Sequence, residues 1–349
     1  MRSLTTRLRQ PDDDQGMVLL WVALTITVLL GMGALTIDLG ALYLEKRQLQ
    51  NGADAAALAI AFNCAKGSSC GSVMTIANTL ADANSKDNAS AVPKVCGVGP
   101  GLSASGCTTP SGLTSGSNWV QVFTSTETSS GGTKVPMVLA PLIGAASGKT
   151  VKANATAQWG GLKSVRVSAS LALSACEFVK LGGRLDGSAF PSGNTVIYFH
   201  VFGDPNEPGV GSCTPSTSGV PVPGGFGWLR SNSCKPNLTV NAWANADTGN
   251  NVPNGCNPTS WVGNEITLAL YDDTRGTGNG AQYHIVGFVS FKVSAVKFGG
   301  NNNSPQNFQC PMAPGNSGTC IRGTFTKITK NGAVPGGPNL GVTTIKLIG

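Results

Sequence analysis

The sequence predicts an α+β fold in which one long N-terminal helix precedes a disulfide-bonded, β-rich region. Three observations predict it: an uncharged run near the N-terminus, ten cysteines confined to the chain beyond that run, and short β-branched segments separated by turn residues. Hydrophobic residues make up 41% of the 349 residues, which is enough for a packed core. Charged residues make up only 12%, about half their usual share in soluble domains. The 47 glycines and 20 prolines favour a turn-dense, sheet-forming chain.

The first element is a run of 21 residues without a charge, from Met17 to Ile37. At about 1.5 Å per residue, a helix of this length crosses a hydrocarbon core about 30 Å thick. Backbone groups in lipid must bond within their own segment, so the run must be helical. Trp21 near its start and Tyr43 beyond its end suit the two membrane interfaces, and Asp38 closes the run.

A cleaved signal peptide is the competing interpretation of this run. The apolar core of a signal peptide is about 7–15 residues long and precedes an A-x-A-like cleavage site. Here the run is longer, and its small residues, Gly31-Met32-Gly33, lie in its middle. We therefore expect an uncleaved signal anchor.

The ten cysteines indicate both the compartment and the orientation. No C-x-x-C spacing occurs and the chain has only two histidines, so disulfides are favoured over structural zinc. Disulfides form in oxidising compartments, which predicts a cytoplasmic N-terminus and an extracytoplasmic remainder. Pairing of neighbours along the chain is the simplest connectivity, although the sequence alone cannot choose among the pairings. The disulfide candidates are Cys64, Cys70, Cys96, Cys107, Cys176, Cys213, Cys234, Cys256, Cys310 and Cys320.

The helix is expected to continue past the membrane. Apolar or small residues recur there with a helical period and form one face, whereas residues 45–48 crowd the opposite side. Asn51-Gly52 should weaken this helix locally, by about 1 kcal/mol for the glycine. The face either packs on its own domain or contacts the helices of other subunits. The candidate packing residues are Leu39, Leu42, Tyr43, Leu49, Ala53, Ala56, Ala57 and Ile60.

The rest of the chain has the pattern of several short strands, which predicts a sandwich-like arrangement. Residues 86–118 are rich in Gly, Ser, Pro and Thr and predict a loop. Gly160-Gly161 marks a boundary between two regions. The predicted strands lie near 119–127, 150–159, 164–174, 194–203, 238–244, 265–271, 282–297, 321–329 and 342–348.

The residues that could carry chemistry do not assemble into a recognisable site. Gly67-Ser68-Ser69-Cys70-Gly71 fits G-x-S-x-G, but it lacks the strand–turn–helix setting of a nucleophile elbow. His200 and His284 fall in strand-like segments without a matching nucleophile. No Lys/Arg-rich run of the nucleic-acid type occurs. We therefore expect no enzyme activity, no metal, no cofactor, no nucleic acid and no small-molecule substrate.

Residues 16–61 resemble the N-terminal segment of the TadG-like (TadE/TadG-like) proteins of Flp tight-adherence pilus assembly. The motifs that carry the resemblance are Gly16 before the run, Asp38-Leu39-Gly40, Tyr43-Leu44, Leu49-Gln50-Asn51 and the string from Ala53 to Ala59. The resemblance implies a structural or accessory component of Flp pilus assembly at the cell surface, with the bilayer and other pilus-assembly or pilin-like subunits as partners. The alternative is a surface adhesin or binding module that shares the anchor, with Trp228, Trp243 and Trp261 as candidate contact residues.

One residue departs from the pattern of Flp prepilins that are cleaved near their N-terminus. Flp prepilins carry Glu at the fifth position after the cleaved Gly, whereas Trp21 stands there in this chain. We therefore expect a membrane-retained protein. The expected organisation is a cytoplasmic tail (1–16), a transmembrane helix (17–37), an extracytoplasmic helix and loop (38–85), a pilin-like β region (86–160) and a β-rich exported domain (161–349).

Overall fold

The computed structural model describes residues 14–66, 69–144, 146–199, 225–247, 249, 251–311 and 318–348. Its helices are α1 (Asp14–Lys66), α2 (Val73–Ala83) and α3 (Ala175–Lys180), with 3₁₀ turns at Ala140–Ile143, Pro258–Trp261 and Gly278–Gly280. Helix α1 runs for 53 residues, since it contains no proline and single glycines cost a helix only about 1 kcal/mol each.

The described residues include seventeen β-strands, and the longest is β12 with 16 residues. The strands are β1 (Ser90–Val98), β2 (Asn118–Thr126), β3 (Val135–Pro136), β4 (Gly148–Lys149), β5 (Lys152–Arg166), β6 (Leu171–Ser174), β7 (Asn194–Tyr198), β8 (Phe226–Leu229), β9 (Asn237–Thr239), β10 (Ala242–Asp247), β11 (Glu265–Arg275), β12 (Gln282–Lys297), β13 (Asn303–Ser304), β14 (Cys320–Thr326), β15 (Ile328–Thr329), β16 (Val334–Gly337) and β17 (Val342–Ile348). The predicted fold class, a long apolar helix followed by a disulfide-bonded β-rich region, is confirmed.

The chain divides into two compact units. Among the described residues, unit 1 takes those within Met1–Ala53, Asn78–Pro93 and Phe123–Asn154. Unit 2 takes those within Asp54–Ala77, Lys94–Val122 and Ala155–Gly349.

The strands form two large sheets and one hairpin. The seven-stranded sheet has the order β1-β2-β5-β17-β15, with β9 and β16 also paired to β5. The eight-stranded sheet has the order β10-β8-β6-β11-β12-β14-β7, with β13 also paired to β12. Strand β10 pairs with β12 as well, so β10, β8, β6, β11 and β12 form a closed ring of pairings. Among the described strands, β3 and β4 pair only with each other.

Strand β11 shows how the core of unit 2 is built. It is buried on both faces, and its successive side chains enter two different clusters because side chains alternate across a strand. Ile266, Leu268 and Leu270 join one cluster, which also holds Trp228. Ala269 and Tyr271 join the other. This second cluster also takes Leu162 of β5 and Val342 of β17, so it lies between the two sheets.

The structure corrects one prediction and qualifies another. The segment 86–118, predicted as loop, contains strand β1. Pro93 interrupts the strand pattern there, but β1 is an edge strand, where proline is tolerated. Gly160 and Gly161, the expected boundary, lie inside the continuous strand β5, opposite Thr344 and Thr343. The proposed division into domains stays a prediction.

Four disulfides join cysteines that are neighbours along the chain: Cys64–Cys70, Cys96–Cys107, Cys234–Cys256 and Cys310–Cys320. Cys176 is disulfide-bonded, but its expected partner Cys213 lies outside the described residues. Each closed loop of this kind typically stabilises a fold by about 2–4 kcal/mol.

Candidate membrane-anchor and helix-packing site

The predicted packing face of α1 is half buried and half exposed. Its distal members, Leu49, Ala53, Ala56, Ala57 and Ile60, are each at most 3% exposed. Its proximal members Leu39 and Tyr43 are 55% and 69% exposed, and Leu42 is partly buried. Packing within the chain therefore accounts for the distal residues. A contact of the proximal residues with other subunits stays a prediction.

Within unit 1, hydrogen bonds join residues 46–50 of α1 to strands β2 and β5. The hydroxyl of Thr124, a buried residue of β2, donates to the carbonyl oxygen of Leu49 at 3.0 Å. The side-chain amide of Gln50 donates to the carbonyl oxygen of Asn154 at 2.9 Å, and the ammonium of Lys46 donates to that of Lys152. The start of β5 is thus bonded along about one turn of the helix.

Gly52 permits a close helix–helix contact. A methyl group placed on Gly52 would lie 3.0 Å from the Cα atom of Ala81 in helix α2. Ala81 is itself 2% exposed, so two small residues set the distance between the helices. The sequence predicts that Gly52 weakens α1. It does not reveal that the missing side chain at this position lets α2 pack closely on α1.

Asp38 is the residue that sequence reasoning missed as a site. Its carboxylate accepts backbone N–H groups from Val138 at 3.0 Å, Leu139 at 3.2 Å and Ala140 at 2.6 Å. Burial by itself raises the pKa of Asp38, but the three N–H donors together hold that pKa below its ordinary value. The sequence does carry a signal for this contact. Asp38 places a carboxylate at the end of one uncharged run, and residues 135–148 form a second uncharged segment whose backbone N–H groups can pair with it.

The proximal part of α1 exposes its apolar side chains to the surroundings. Over residues 17–44 as far as the side chains are described, Asp38 is the single buried residue. Leu19, Leu29 and Leu30 are 73%, 67% and 69% exposed. Within the described residues, α1 is the one helix that is long and apolar enough to span a membrane.

A second carboxylate on α1 lies in a different environment. Burial raises the pKa of Glu45, and so does the nearby charge of Asp87, although a hydrogen bond from Thr126 opposes them. The pKa of Asp87 is lowered, chiefly by the hydroxyl of Ser85, because that group and two backbone N–H groups donate to its carboxylate. Asp87 is therefore the more acidic of the two carboxyl groups.

The three tryptophans proposed as contact residues do not come together at a surface. Trp228 and Trp261 are buried and pack with Phe298 in the core of unit 2. Trp243 is partly exposed. The guanidinium of Arg275 lies 4.1 Å from the centre of the Trp243 ring, and the ring centre of His284 lies 5.2 Å from it.

Of the two histidines, His284 lies among the described residues, and its ring bonds to a carboxylate. The Nδ1 atom of His284 lies 2.7 Å from a carboxylate oxygen of Asp272. His200 lies outside the described residues, and so do Gly67 and Ser68 of the G-x-S-x-G match. Of the rest of that match, Ser69 lies in the loop closed by the Cys64–Cys70 disulfide, and Gly71 directly follows it.

These features define a class of protein: a chain with one N-terminal helix fit to span a membrane, which continues into a β-rich, disulfide-bonded region. Residues 16–61 match the family model described as putative Flp pilus-assembly TadE/G-like. The matched segment contains the uncharged run, Asp38 and the buried packing residues, so the resemblance of this segment to TadG-like proteins is confirmed. Curated proteins and solved structures gave no match.

Proposed function

We propose that this chain is a structural or accessory membrane protein of Flp pilus assembly, anchored by α1, and that it does no catalysis. The observation that carries the proposal is the family match over residues 16–61. The matched residues are those that form the exposed apolar part of α1 and its buried continuation, so the match covers a functional unit of the structure.

The proposed orientation places residues 1–16 in the cytoplasm and the chain after residue 37 outside it. Its support is the distribution of cysteines: all ten follow the apolar run, and disulfides persist in oxidising compartments. An alkaline phosphatase fused after residue 348 should be active. The same enzyme fused before residue 14 should be inactive, and the reverse result would contradict the orientation.

The proposed role is retention in the membrane. Trp21 occupies the position where a processed Flp prepilin has Glu, so cleavage after Gly16 is not expected. Mass spectrometry of the mature protein should find the peptide that spans Gly16 and Met17. A mature chain that begins at Met17 and is found in sheared pili would identify a minor pilin.

Deletion of the gene tests the proposed function directly. A strain without this chain should lose Flp pili or assemble fewer of them, and the wild-type gene should restore them. Complementation with a variant that keeps the anchor but carries Tyr43→Ala would test the exposed proximal face as a subunit contact. Normal pili in the deletion strain would argue against a role in assembly.

A binding role is the second candidate, and Trp243 is the observation that favours it. A partly exposed tryptophan with a guanidinium and an imidazole beside it offers an aromatic surface next to polar groups. For an adhesin, Trp243→Ala should reduce attachment to surfaces while leaving pilus number unchanged. Equal attachment by both strains would leave pilus assembly as the sole candidate.

A further inference from the structure

We propose that residues 136–144, named here the apolar tip, form a second membrane contact beside the Asp38 end of the membrane span. The tip lies at the end of the β3–β4 hairpin and would enter the interface between lipid head groups and acyl chains. The proposal rests on the membrane anchoring in the proposed function and adds a second point of contact with the bilayer.

The first argument is the position of the tip along α1. Asp38 directly follows the last residue of the uncharged run, and its carboxylate accepts the N–H groups of residues 138, 139 and 140. These hydrogen bonds hold the tip at the height where the membrane span ends. Ile37 and Leu39, on either side of Asp38, are 60% and 55% exposed, so the helix itself is apolar toward its surroundings at this height.

The second argument is composition. No charged residue occurs from Val135 to Gly148. Val138 is 71% exposed, which is as exposed as the leucines of the membrane span. An exposed valine next to the lipid-facing end of a helix is accounted for if the same lipid covers both.

The third argument concerns the backbone. An irregular segment enters lipid only if its N–H groups have partners. From Pro136 to Pro141 every residue meets this condition. The two prolines have no N–H, Met137 donates to the carbonyl oxygen of Ser147 at 2.9 Å, and the next three residues donate to Asp38. The Asp38 carboxylate therefore satisfies backbone groups that would otherwise need water.

The fourth argument is the charge at the base of the hairpin. Lys134 and Lys149 are exposed, and Lys149 pairs with Val135 across the two strands. Ammonium groups at the base and apolar groups at the tip match the order of layers in a bilayer, where polar head groups lie outside the acyl chains.

Photocrosslinking in the full chain tests the proposal. The protein is reconstituted in vesicles of phosphatidylcholine and phosphatidylglycerol, with p-benzoylphenylalanine in place of Val138, Leu30 or Ser130 in turn. Leu30 lies in the membrane span and is 69% exposed. Ser130 is exposed and follows Ser129, whose N–H donates to Asp87. Asp87 lies beside Glu45, seven residues beyond Asp38 and hence about 10 Å further along the helix.

Lipid adducts, counted by mass spectrometry, should form at position 138 nearly as often as at position 30. They should exceed those at position 130 by about tenfold, because interfacial groups reach only about 5–10 Å into the boundary. Adducts at position 30 with none at position 138 would overturn the proposal and leave the anchor intact. A lack of adducts at position 30 would overturn the anchor itself. Adducts of position 138 with a second protein chain would show that a protein covers the tip, and would also overturn the proposal.

Discussion

Helix α1 contains two segments that share one backbone but have opposite surroundings. In the membrane segment, residues 17–37, the long apolar side chains are exposed, and among the described side chains the first buried one is the carboxylate of Asp38, directly after this segment. In the packed segment, residues 49–61, the buried side chains are mostly alanines, with Leu49 and Ile60. Apolar character alone therefore does not mark a core. Long side chains predominate on the exposed surface of the membrane segment, whereas alanines predominate where neighbouring elements of the chain cover the helix.

The largest expected effect comes from a charge placed in the membrane segment. Val28→Arg puts a guanidinium near the middle of the span, which costs about 2.5–3.5 kcal/mol of insertion free energy. Tyr43→Arg is the matched control, because Tyr43 is at least as exposed as Val28 but lies beyond the span. Alkaline extraction of membranes should release far more of the Val28→Arg protein. Equal release of the two variants would mean that water, and not lipid, surrounds residue 28.

The next effect compares two glycines of α1. Gly52→Leu forces a side chain against the backbone of Ala81, and overpacking of this kind costs about 1–3 kcal/mol. Gly40→Leu gains the same helix propensity without a clash, because no atom lies within 4 Å of a Cβ at that position. Thermal unfolding in detergent should show a lower midpoint for Gly52→Leu only. If both variants unfold at the same temperature, α2 does not pack closely on α1.

The Asp38 interaction should respond to both substitution and pH. Asp38→Asn removes the charge and replaces one acceptor oxygen by a donor, so the amides of residues 138–140 should exchange hydrogen faster. In the wild-type protein the pKa of Asp38 is lowered in the folded state. Ionised Asp38 therefore stabilises the fold at pH values above the ordinary aspartate pKa of 3.8. This stabilisation is lost as the pH falls through the lower pKa that Asp38 has in the folded state.

Hydrogen exchange read by mass spectrometry measures this effect, and amides of the β11–β12 pair serve as the internal control. Unchanged exchange at residues 138–140 in the Asp38→Asn variant would show that the carboxylate does not hold the tip. A general increase across the chain would point to lost folding instead.

The smallest effect is expected at Glu45. The pKa of Glu45 is raised in the folded state. Ionised Glu45 therefore destabilises the fold at pH values above its pKa in the unfolded chain, and this destabilisation disappears as the pH falls below that pKa. Glu45→Gln keeps an acceptor for Thr126 and should stabilise unit 1 by less than about 1 kcal/mol at pH 7, since the site is partly solvated. Thermal unfolding at pH 7 and at pH 4 measures the change, and an equal gain at both pH values would contradict it.

Much of the fold was accessible from local patterns. Runs of β-branched and aromatic residues between turn residues predicted β2, β11, β12 and β17 closely, because strand propensity and turn chemistry are local signals. Strand β1 was missed, because Pro93 and the surrounding glycines mask those signals. The closed ring of β10, β8, β6, β11 and β12 was not predictable at all, since β10 pairs with β8 and β12 through contacts between residues far apart in sequence.

For this protein the sequence by itself determined the membrane-length helix, the expectation that its cysteines form disulfides and the TadE/G-like segment, because each depends on composition or on spacing within one stretch of chain. Only the tertiary structure decided which half of the packing face is buried, why Gly52 is small and what Asp38 binds. Those outcomes depend on residues 29 to 102 positions away along the chain. A one-dimensional pattern records a residue's chemistry but not the neighbour that folding brings to it.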